Sequence, residues 1–460
     1  MRDRHNIYGQ TFLFEGNRPA SPPAYFLSLT VENIRCFGPK QVLDLSDGNG
    51  RPASWTIILG DNGFGKTTLL QCLSGLQPIV RNHPVRKNGQ VLSPIFTMSA
   101  ELQLYFINKL VRLYPSTVEC SVFYGSNLRE GDKGKVFKDL GMSADPFNIT
   151  VNAADYTENG DEIEDISGLV CFGYGATRRM GSGSLSGESE HSFINGLFSD
   201  NASLINAEEW YLQTDYSSHR DPSGKVESQQ LHVKDALIQL LPDVTDIRIR
   251  RSETGFQVEV KTPFDWVHIQ NLSLGYRTLI AWVVDLAHRL FERYPNSKNP
   301  LAEPAVVLVD EIDLHLHPRF QRTLMDYLTN LFPNTQFIAT AHSPLVVQAA
   351  SNANIALLRR EGDHIVIDND VEAIANWRID QVLTSDLFGF ESARPPQYDD
   401  KLKERTQILS KARLTKADRA RLKELEDEIG DLPTGETPDD IKAMDIIRQA
   451  AQQLTNGQRK

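Results

Sequence analysis

The segment GDNGFGKTT (60–68) constrains the fold of this chain more than any other stretch. It fits the pattern GxxxxGK[ST], follows the apolar run TIIL (56–59) and leads into the predicted helix TTLLQCLSGL (67–76). A buried strand, a glycine-rich turn and a helix in this order direct backbone N–H groups and a helix N-terminus towards one anion. The residues predicted to bind a nucleotide here are Asn62, Gly63, Gly65, Lys66, Thr67 and Thr68.

Two side chains of this segment, together with two carboxylates elsewhere, predict a site for Mg²⁺ and ATP. Lys66 can reach the β- and γ-phosphates, and the Thr67 hydroxyl can bind Mg²⁺. The segment AVVLVDE (305–311) predicts a buried strand that ends in two acids. Asp310 is expected to complete the Mg²⁺ shell, and Glu311 to polarise the attacking water. The predicted cofactors are therefore ATP and Mg²⁺, with Thr67 and Asp310 as metal ligands.

Two further motifs contain candidate phosphate contacts. TAHSPLVV (340–347) places His342 at the end of the next predicted strand, where its imidazole can hydrogen-bond the γ-phosphate. NLSLGYRT (271–278) places Ser273 and Gly275 in front of a long segment with helical apolar periodicity. Ser273 can cap that helix, and a helix N-terminus is itself able to bind a phosphate.

Five motifs together resemble those of the ATP-binding-cassette (ABC) ATPases, specifically the soluble SMC- and RecF-like branch. In chain order they are VENIRCFG (31–38), GDNGFGKTT (60–68), NLSLGYRT (271–278), VVLVDEIDLHLHP (306–318) and ATAHSP (339–344). The resemblance implies that Glu311 is the catalytic glutamate and His342 the switch histidine. It also implies that Ser273 and Gly275 face the γ-phosphate bound by a second subunit, in composite dimers or in higher oligomers such as a hexamer.

Some features depart from the usual pattern of that family. Leu274 interrupts the glycines of the signature motif, and the family's glutamine loop has no clear counterpart. YGATRR (174–179) follows the strand where that loop would begin, so Arg178 is either a nucleotide contact or a solvated residue of a basic turn. Arg35, after the first predicted strand, is a second candidate nucleotide contact.

The alternation of predicted strands and helices indicates an α/β fold. We expect an ABC-ATPase (P-loop) head with a mixed sheet, an antiparallel β layer and a helical lid. A flexible N-terminal arm (1–24) is expected to precede an ATPase domain (25–390), whose lid or insertion covers about 181–235. Helices are predicted over 276–295 and 318–331.

A C-terminal helical region is predicted over 391–460 as a surface for oligomerisation or partner docking. We expect a helical hairpin over 398–430 and a last helix over 438–454. Thr415, followed three residues later by Asp418, has the spacing of a capped helix start.

Composition and spacing exclude several functional classes. The formal net charge of −12 argues against a broadly basic surface that follows nucleic-acid phosphates. There is no apolar run long enough to cross a membrane and no signal-peptide segment, so we expect a cytoplasmic protein with no membrane partner. The interval from Thr68 to Leu272 lacks sustained heptads, which excludes long coiled-coil arms. His315 and His317 lack the further ligands of a metal site, and no intrinsic nuclease is expected.

Over nearly its whole length the chain resembles AAA-family ATPases of bacterial anti-phage defence systems, most of all the Septu-type ATPase. PARIS-type and OLD-family ATPases are close alternatives. The segments that carry this resemblance include FGYGATRR (172–179), SLGYRTLIAWVVDLAHRL (273–290) and DEIDLHLHP (310–318). It implies an ATP-dependent switch that controls a separate effector, such as an HNH-type nuclease or a toxin. The alternative is a RecF-like DNA-repair ATPase that clamps duplex DNA, which would involve direct DNA contact.

Overall fold

The computed structural model describes the chain in segments between residues 23 and 429. The described residues are 23–76, 86–87, 90–91, 109–113, 115–124, 135–144, 149–152, 168–181, 195–241, 243–252, 255–371, 377–390, 399–409, 411 and 414–429. The chain divides into two compact units, Met1–Val382 and Leu383–Lys460. Three predicted features lie outside the described residues: nearly all of the N-terminal arm, residues 182–194 of the lid, and the helix over 438–454.

A six-stranded mixed sheet carries the phosphate-loop segment. In spatial order its strands are β18 (His364–Asp368), β17 (Asn354–Glu361), β3 (Trp55–Leu59), β16 (Thr335–Thr340), β15 (Ala305–Val309) and β9 (Cys171–Tyr174). Strands β17 to β9 run parallel, and β18 pairs antiparallel at the edge. Every residue of β3, β15, β16 and β9 is buried, as continuous apolar strands in a covered parallel sheet should be.

An antiparallel sheet forms a second layer of the first unit. Its strands, in spatial order, are β2 (Gln41–Asp44), β1 (Ala24–Glu32), β6 (Ser116–Tyr124), β7 (Lys135–Ala144) and β8 (Ile149–Asn152). Apolar side chains of β1 and β6 share one buried cluster with residues of β3, β15 and the helix after the phosphate loop. Smaller sheets are formed by β4 (Arg86–Lys87) with β5 (Gln90–Val91), by β10 (Arg179–Met180) with β11 (Ser203–Leu204), and by β12 (Asp246–Ser252), β13 (Gly255–Lys261) and β14 (Trp266–His268).

The helices of the first unit connect the strands of the mixed sheet and the smaller sheets. They are α1 (Lys66–Gly75), α2 (Ala207–Ser218), α3 (Lys225–Leu240), α4 (Leu274–Arg293), α5 (Pro318–Gln321), α6 (Leu324–Leu331) and α7 (Pro344–Ala349), and α8 (Ile379–Thr384) crosses the boundary between the units. The α2–α3 pair lies in the predicted lid, although α3 extends five residues beyond its expected end at 235. Among the described residues, no helix is both long and apolar enough to cross a membrane.

The helix predicted over 318–331 is wrong as one continuous element, because the structure divides it into α5 and α6. Thr323, between the two, has φ −117° and donates its N–H to Phe320 O in a tighter turn. A β-branched residue has restricted side-chain freedom in a helix, which lowers the cost of the break. The helix predicted over 276–295 agrees with α4 to within two residues at each end.

The second unit contains a pair of helices, α9 (Asp399–Leu409) and α10 (Lys416–Ile429). Ile408, Leu422 and Leu425 form its buried apolar cluster. Thr415 and Asp418 bond reciprocally at the start of α10: the Asp418 N–H donates to Thr415 Oγ1 at 3.1 Å, and the Thr415 N–H donates to Asp418 Oδ2 at 2.9 Å. The helix start predicted from this pair is therefore confirmed.

Candidate nucleotide-binding and hydrolysis site

The loop between β3 and α1 has the backbone shape that a phosphate-binding loop requires. Gly63 and Gly65 have φ of +83° and +89°, a region that favours glycine. A Cβ on Gly65 would lie 2.5 Å from Cys36 Sγ and 2.8 Å from the Phe37 ring, so the segment after β1 packs closely against the loop. The first backbone bond of α1 runs from Leu69 N to Gly65 O. The three N–H groups before it belong to the helix end, where an anion is stabilised.

The Lys66 ammonium lies against the loop from which it comes. Its Nζ donates to Gly60 O at 2.7 Å and to Asp61 O at 2.9 Å, whereas Asn62 and Gly63 are exposed on the loop. Burial lowers the pKa of Lys66, and nearby carboxylates, Asp310 first among them, act in the opposite direction. The phosphate loop therefore holds the partly desolvated ammonium of Lys66 beside the exposed residues Asn62 and Gly63.

Thr67 and Asp310, the two predicted Mg²⁺ ligands, are in direct contact. The Thr67 hydroxyl donates to Asp310 Oδ2 at 2.7 Å. The other oxygen, Oδ1, accepts from Thr340 Oγ1 at 2.6 Å, and Asp310 N donates to Tyr174 O at 2.8 Å. Asp310 is 7% exposed, so these bonds hold its carboxylate in one orientation.

Glu311 has a backbone conformation that is unusual for a residue other than glycine. Its φ is +49°, and its N–H donates to Thr340 Oγ1 at 2.7 Å. Within the described residues its half-buried carboxylate accepts no hydrogen bond. Left-handed backbone at such a residue costs about 1–3 kcal/mol and persists only where neighbouring contacts enforce it. The hydrogen bonds made by the Glu311 N–H and carbonyl fix its backbone and leave its carboxylate free of hydrogen bonds from the described residues.

Arg178 is one of the contacts that enforce this backbone. Its guanidinium donates to the carbonyls of Gly175, Asp310 and Glu311, the last at 2.7 Å. Arg178 is 4% exposed and lies 5.8 Å from the Trp282 ring centroid. Burial lowers the pKa of Arg178 to about 10, so the group remains a cation at neutral pH. The solvated-turn alternative is therefore wrong, and the nucleotide contact stays a prediction for a side chain whose observed partners are backbone carbonyls.

Arg35, the second candidate arginine, lies beside α1. Its Nη1 donates to Thr68 Oγ1 at 3.1 Å and its Nε donates to Lys109 O at 3.0 Å. Its φ is +42°, which is again a left-handed conformation that is unusual for a residue other than glycine. Arg35 thus contacts the predicted nucleotide site through Thr68, and its role as a nucleotide ligand stays a prediction.

The signature residues Ser273 and Gly275 lie at the start of α4. Ser273 is the N-cap residue of α4, but its side chain makes no capping bond and is exposed. A Cβ on Gly275 would overlap the carbonyl oxygen of His315 in the loop after Glu311. No hydrogen bond or ion pair among the described residues joins Ser273 or Gly275 to Lys66 or Thr67. Their role at the nucleotide of a second subunit stays a prediction.

His342 follows β16 and is exposed at the end of that strand. Its backbone N–H donates to both carboxylate oxygens of Asp313, at 3.3 and 3.2 Å. The imidazole is therefore placed at the same edge of the sheet as Asp310 and Glu311, because the carboxyl ends of adjacent parallel strands meet there.

The geometry fits a Mg-ATP group. Hard oxygen ligands, from Thr67 and Asp310, lie together beside a loop whose glycines and helix end suit phosphates. Two further residues of the site were not predicted from the sequence: Thr340, which bonds both Asp310 and Glu311, and Asp313, which bonds His342. Thr340 directly precedes the AHSP segment, so its position at the strand end was available as a signal. The role of Asp313 depends on a loop contact that no local pattern indicates.

Comparison with known proteins agrees with this geometry. Residues 130–348 match the family described as "AAA domain, putative AbiEii toxin, Type IV TA system", and residues 28–76 match a family described as "AAA domain". The chain has an ABC-type ATPase fold. The predicted fold class, with its mixed sheet and antiparallel layer, is thereby confirmed.

Relatives of the chain support the predicted resemblance. Septu protein PtuA of Bacillus mycoides is 25% identical over 79% of this chain and 45% of that protein, and Septu protein PtuA of Bacillus thuringiensis is 27% identical over 76% of this chain and 82% of that protein. "Retron Vc95 probable ATPase" of Vibrio cholerae is 36% identical over 32% of this chain and 28% of that protein. The chain thus spans less than half the length of the first and third of these relatives. The resemblance to Septu-type ATPases predicted from the motifs is confirmed.

Proposed function

We propose that this chain is the Mg-ATP-binding and hydrolysing switch subunit of a bacterial anti-phage defence complex. The observation that carries the proposal is the joined pair Thr67 and Asp310, with Glu311 held beside them in a left-handed conformation. A phosphate loop, two hard oxygen ligands and an adjacent carboxylate are the parts that nucleotide hydrolysis needs.

In the proposed site each residue has one task. Lys66 and the N–H groups at the start of α1 bind the phosphates, and Thr67 and Asp310 hold Mg²⁺ directly or through water. When bound, Mg²⁺ neutralises charge on the phosphates. Glu311 orients and deprotonates the attacking water, because it directly follows the Mg²⁺ ligand Asp310 and its carboxylate accepts no hydrogen bond from the described residues. The His342 imidazole hydrogen-bonds the γ-phosphate.

We infer that the hydrolytic site is completed by a second copy of the chain. Ser273 is an exposed N-cap whose hydroxyl makes no capping bond, and α4 has no acidic residue in its first turn. Both features favour an anion at this helix end. Since Gly275 packs against the loop around His315 and no hydrogen bond of the described residues joins Ser273 to the phosphate loop, we assign the anion at this helix end to a partner subunit.

The proposed output is control of a separate effector protein, such as an HNH-type nuclease or a toxin. Support comes from the Septu relatives, which align with about four fifths of this chain. The C-terminal helical region is the proposed docking or oligomerisation surface. In this proposal DNA cleavage resides in the effector, and the ATPase chain sets when the effector is held or released.

Subunit mixing tests the composite site directly. Lys66→Ala and Ser273→Arg subunits are each expected to lack ATP turnover. Mixed, they form heterodimers in which one site combines an intact Lys66 with an intact Ser273, so turnover should return. Glu311→Gln should reduce turnover by about 10²-fold or more while retaining ATP binding. If Ser273→Arg alone hydrolyses ATP at the wild-type rate, the composite site is wrong.

Co-expression with the protein encoded next to this chain tests the effector. A stable complex whose DNA cleavage depends on the nucleotide state supports the proposal. ATP-dependent, salt-sensitive DNA binding by this chain alone, without any such complex, would instead favour the RecF-like DNA clamp.

A further inference from the structure

One side-chain amide, that of Gln321, bonds the loop that follows Glu311 at two of its carbonyls. Nε2 of Gln321 donates to Asp313 O and to Leu316 O, both at 3.1 Å. Its Oε1 accepts from Ser343 Oγ at 2.7 Å. One amide thus joins two carbonyls of the loop to the residue that follows His342.

The same loop has a second attachment to that segment. The carboxylate of Asp313 accepts the backbone N–H of His342 through both oxygens. Ser343 is buried, and its hydroxyl also accepts the N–H of Leu345 and so caps α7. The loop and the start of α7 are therefore bonded at two points, and a shift of one segment must displace the other or break these bonds.

At His315 the loop is in close contact with the signature segment, at Gly275. His315 has φ +64°, and its carbonyl oxygen lies against the start of α4. Gly275 lies so close that a Cβ there would overlap the His315 oxygen. Because closely packed groups are nearly incompressible, a displacement of the loop at His315 should also displace Gly275.

We propose that Gln321 is a positioning residue that ties His342 to the signature residues Ser273 and Gly275 within one chain. The proposal rests on the roles given to these residues in the proposed function. His342 faces the nucleotide of its own subunit, and Ser273 faces that of the partner. Gln321 therefore couples the two composite sites of a dimer, because the state of one site reaches the other through the loop that it holds.

Replacement of Gln321 by leucine tests this role in the full-length protein. Gln321→Leu keeps a similar volume and removes all three hydrogen bonds. We expect kcat for ATP hydrolysis to fall about tenfold or more, since small misplacements of reacting groups are costly. The affinity for ATP should change by no more than about twofold, because the phosphate loop is untouched. Cooperativity between the sites should disappear, with the Hill coefficient falling to that of independent sites.

Two further variants make the result specific. Gln348→Leu is the matched control, because Gln348 is a half-buried glutamine on α7 whose amide donates to Trp377 O at 2.9 Å, away from the loop. It should retain wild-type kcat and cooperativity. Ser343→Ala removes one of the three bonds of Gln321 and should give an intermediate loss of kcat. Wild-type kcat and cooperativity in Gln321→Leu, or an equal loss in Gln348→Leu, would overturn the proposal.

Hydrogen exchange separates this proposal from the proposed function. In the nucleotide-free protein, the amide of His342 should exchange about tenfold faster in Gln321→Leu than in the wild type, because its acceptor Asp313 is released. Unchanged exchange overturns the positioning role even if the chain hydrolyses ATP. If the wild type shows no ATP turnover, the proposed function fails, and accelerated exchange still supports Gln321 as the residue that holds the loop.

Discussion

The Thr67 hydroxyl donates a hydrogen bond to Asp310 Oδ2 at 2.7 Å and so joins the first turn of α1 to the end of β15. Thr340 bonds the opposite oxygen of the same carboxylate. Because the two proposed Mg²⁺ ligands are already in contact, the metal does not have to bring them together. The loss of side-chain entropy that accompanies their ordering occurs during folding and not during metal binding.

Replacement of Thr67 by alanine should therefore raise the Mg²⁺ requirement of ATP hydrolysis. The variant loses one oxygen ligand and one of the two side-chain hydrogen bonds that orient the Asp310 carboxylate. We expect the Mg²⁺ concentration for half-maximal turnover to rise by about tenfold or more. Turnover measured over a Mg²⁺ titration at saturating ATP checks this.

Ser74→Ala is the matched control for Thr67→Ala. Ser74 lies on the same helix, and its hydroxyl donates to Gln71 O rather than to the site. Its Mg²⁺ titration should coincide with that of the wild type. An unchanged titration in Thr67→Ala would exclude Thr67 as a metal ligand.

Arg178 should behave as a support of the strand end rather than as a nucleotide ligand. Arg178→Met removes three hydrogen bonds to carbonyls and leaves Asp310 O and Glu311 O without that donor. We expect the free energy of unfolding to fall by about 2–4 kcal/mol. Turnover should also fall, because the backbone of Glu311 is no longer held.

Nucleotide affinity distinguishes the two roles of Arg178. A positioning role predicts that Arg178→Met binds ATP with nearly wild-type affinity despite its lower stability. Arg178→Lys should recover only part of the stability, since an ammonium cannot reproduce the planar donors of a guanidinium. A large loss of ATP affinity at unchanged stability would instead establish a nucleotide contact.

The difference between Lys66 and Arg178 shows how far the sequence could predict the site. Lys66, Thr67, Asp310 and Glu311 sit in short segments whose strand, turn and helix pattern is local, so their meeting at one sheet edge follows from parallel strands. Arg178 lies in an equally short motif, but its orientation depends on packing against Trp282, far away in the chain. Local spacing predicts which residues reach the sheet edge and says little about which way they then turn.

Asp285 and Arg289 form a buried ion pair that anchors α4 in the first unit. Asp285 is fully buried and accepts from Arg289, from Tyr174 Oη at 3.0 Å and from Ile205 N at 3.2 Å. Burial and the neighbouring carboxylate raise the pKa of Tyr174 well above its ordinary value. Asp285→Ala should lower the free energy of unfolding by about 3–5 kcal/mol, because it removes a buried carboxylate that bonds Arg289, Tyr174 and Ile205 at once. Chemical denaturation measures this.

Two comparisons test the interpretation of Asp285→Ala. Glu292→Ala removes a mostly exposed carboxylate from the same helix and should change stability by no more than about 0.5 kcal/mol. The double variant Asp285→Leu with Arg289→Leu should lose less stability than the sum of its single variants, because the ion pair between the two side chains is lost in both single variants and is therefore counted twice in their sum. If the stability losses of the two single variants simply add up to that of the double variant, Asp285 and Arg289 do not interact energetically.

Gly275 should be intolerant of a side chain for a steric reason alone. It lies within α4, where alanine is ordinarily favoured over glycine by about 1 kcal/mol. A Cβ at this position would overlap His315 O, so Gly275→Ala should destabilise the protein by about 1–3 kcal/mol, opposite to the helix preference. Displacement of the signature segment should also reduce ATP turnover while leaving ATP binding intact. Leu274→Ala, at the adjacent half-exposed position, is the control and should preserve both stability and turnover. If Gly275→Ala is instead more stable than the wild type, α4 and the loop around His315 are not in the contact from which the coupling of the two composite sites was inferred.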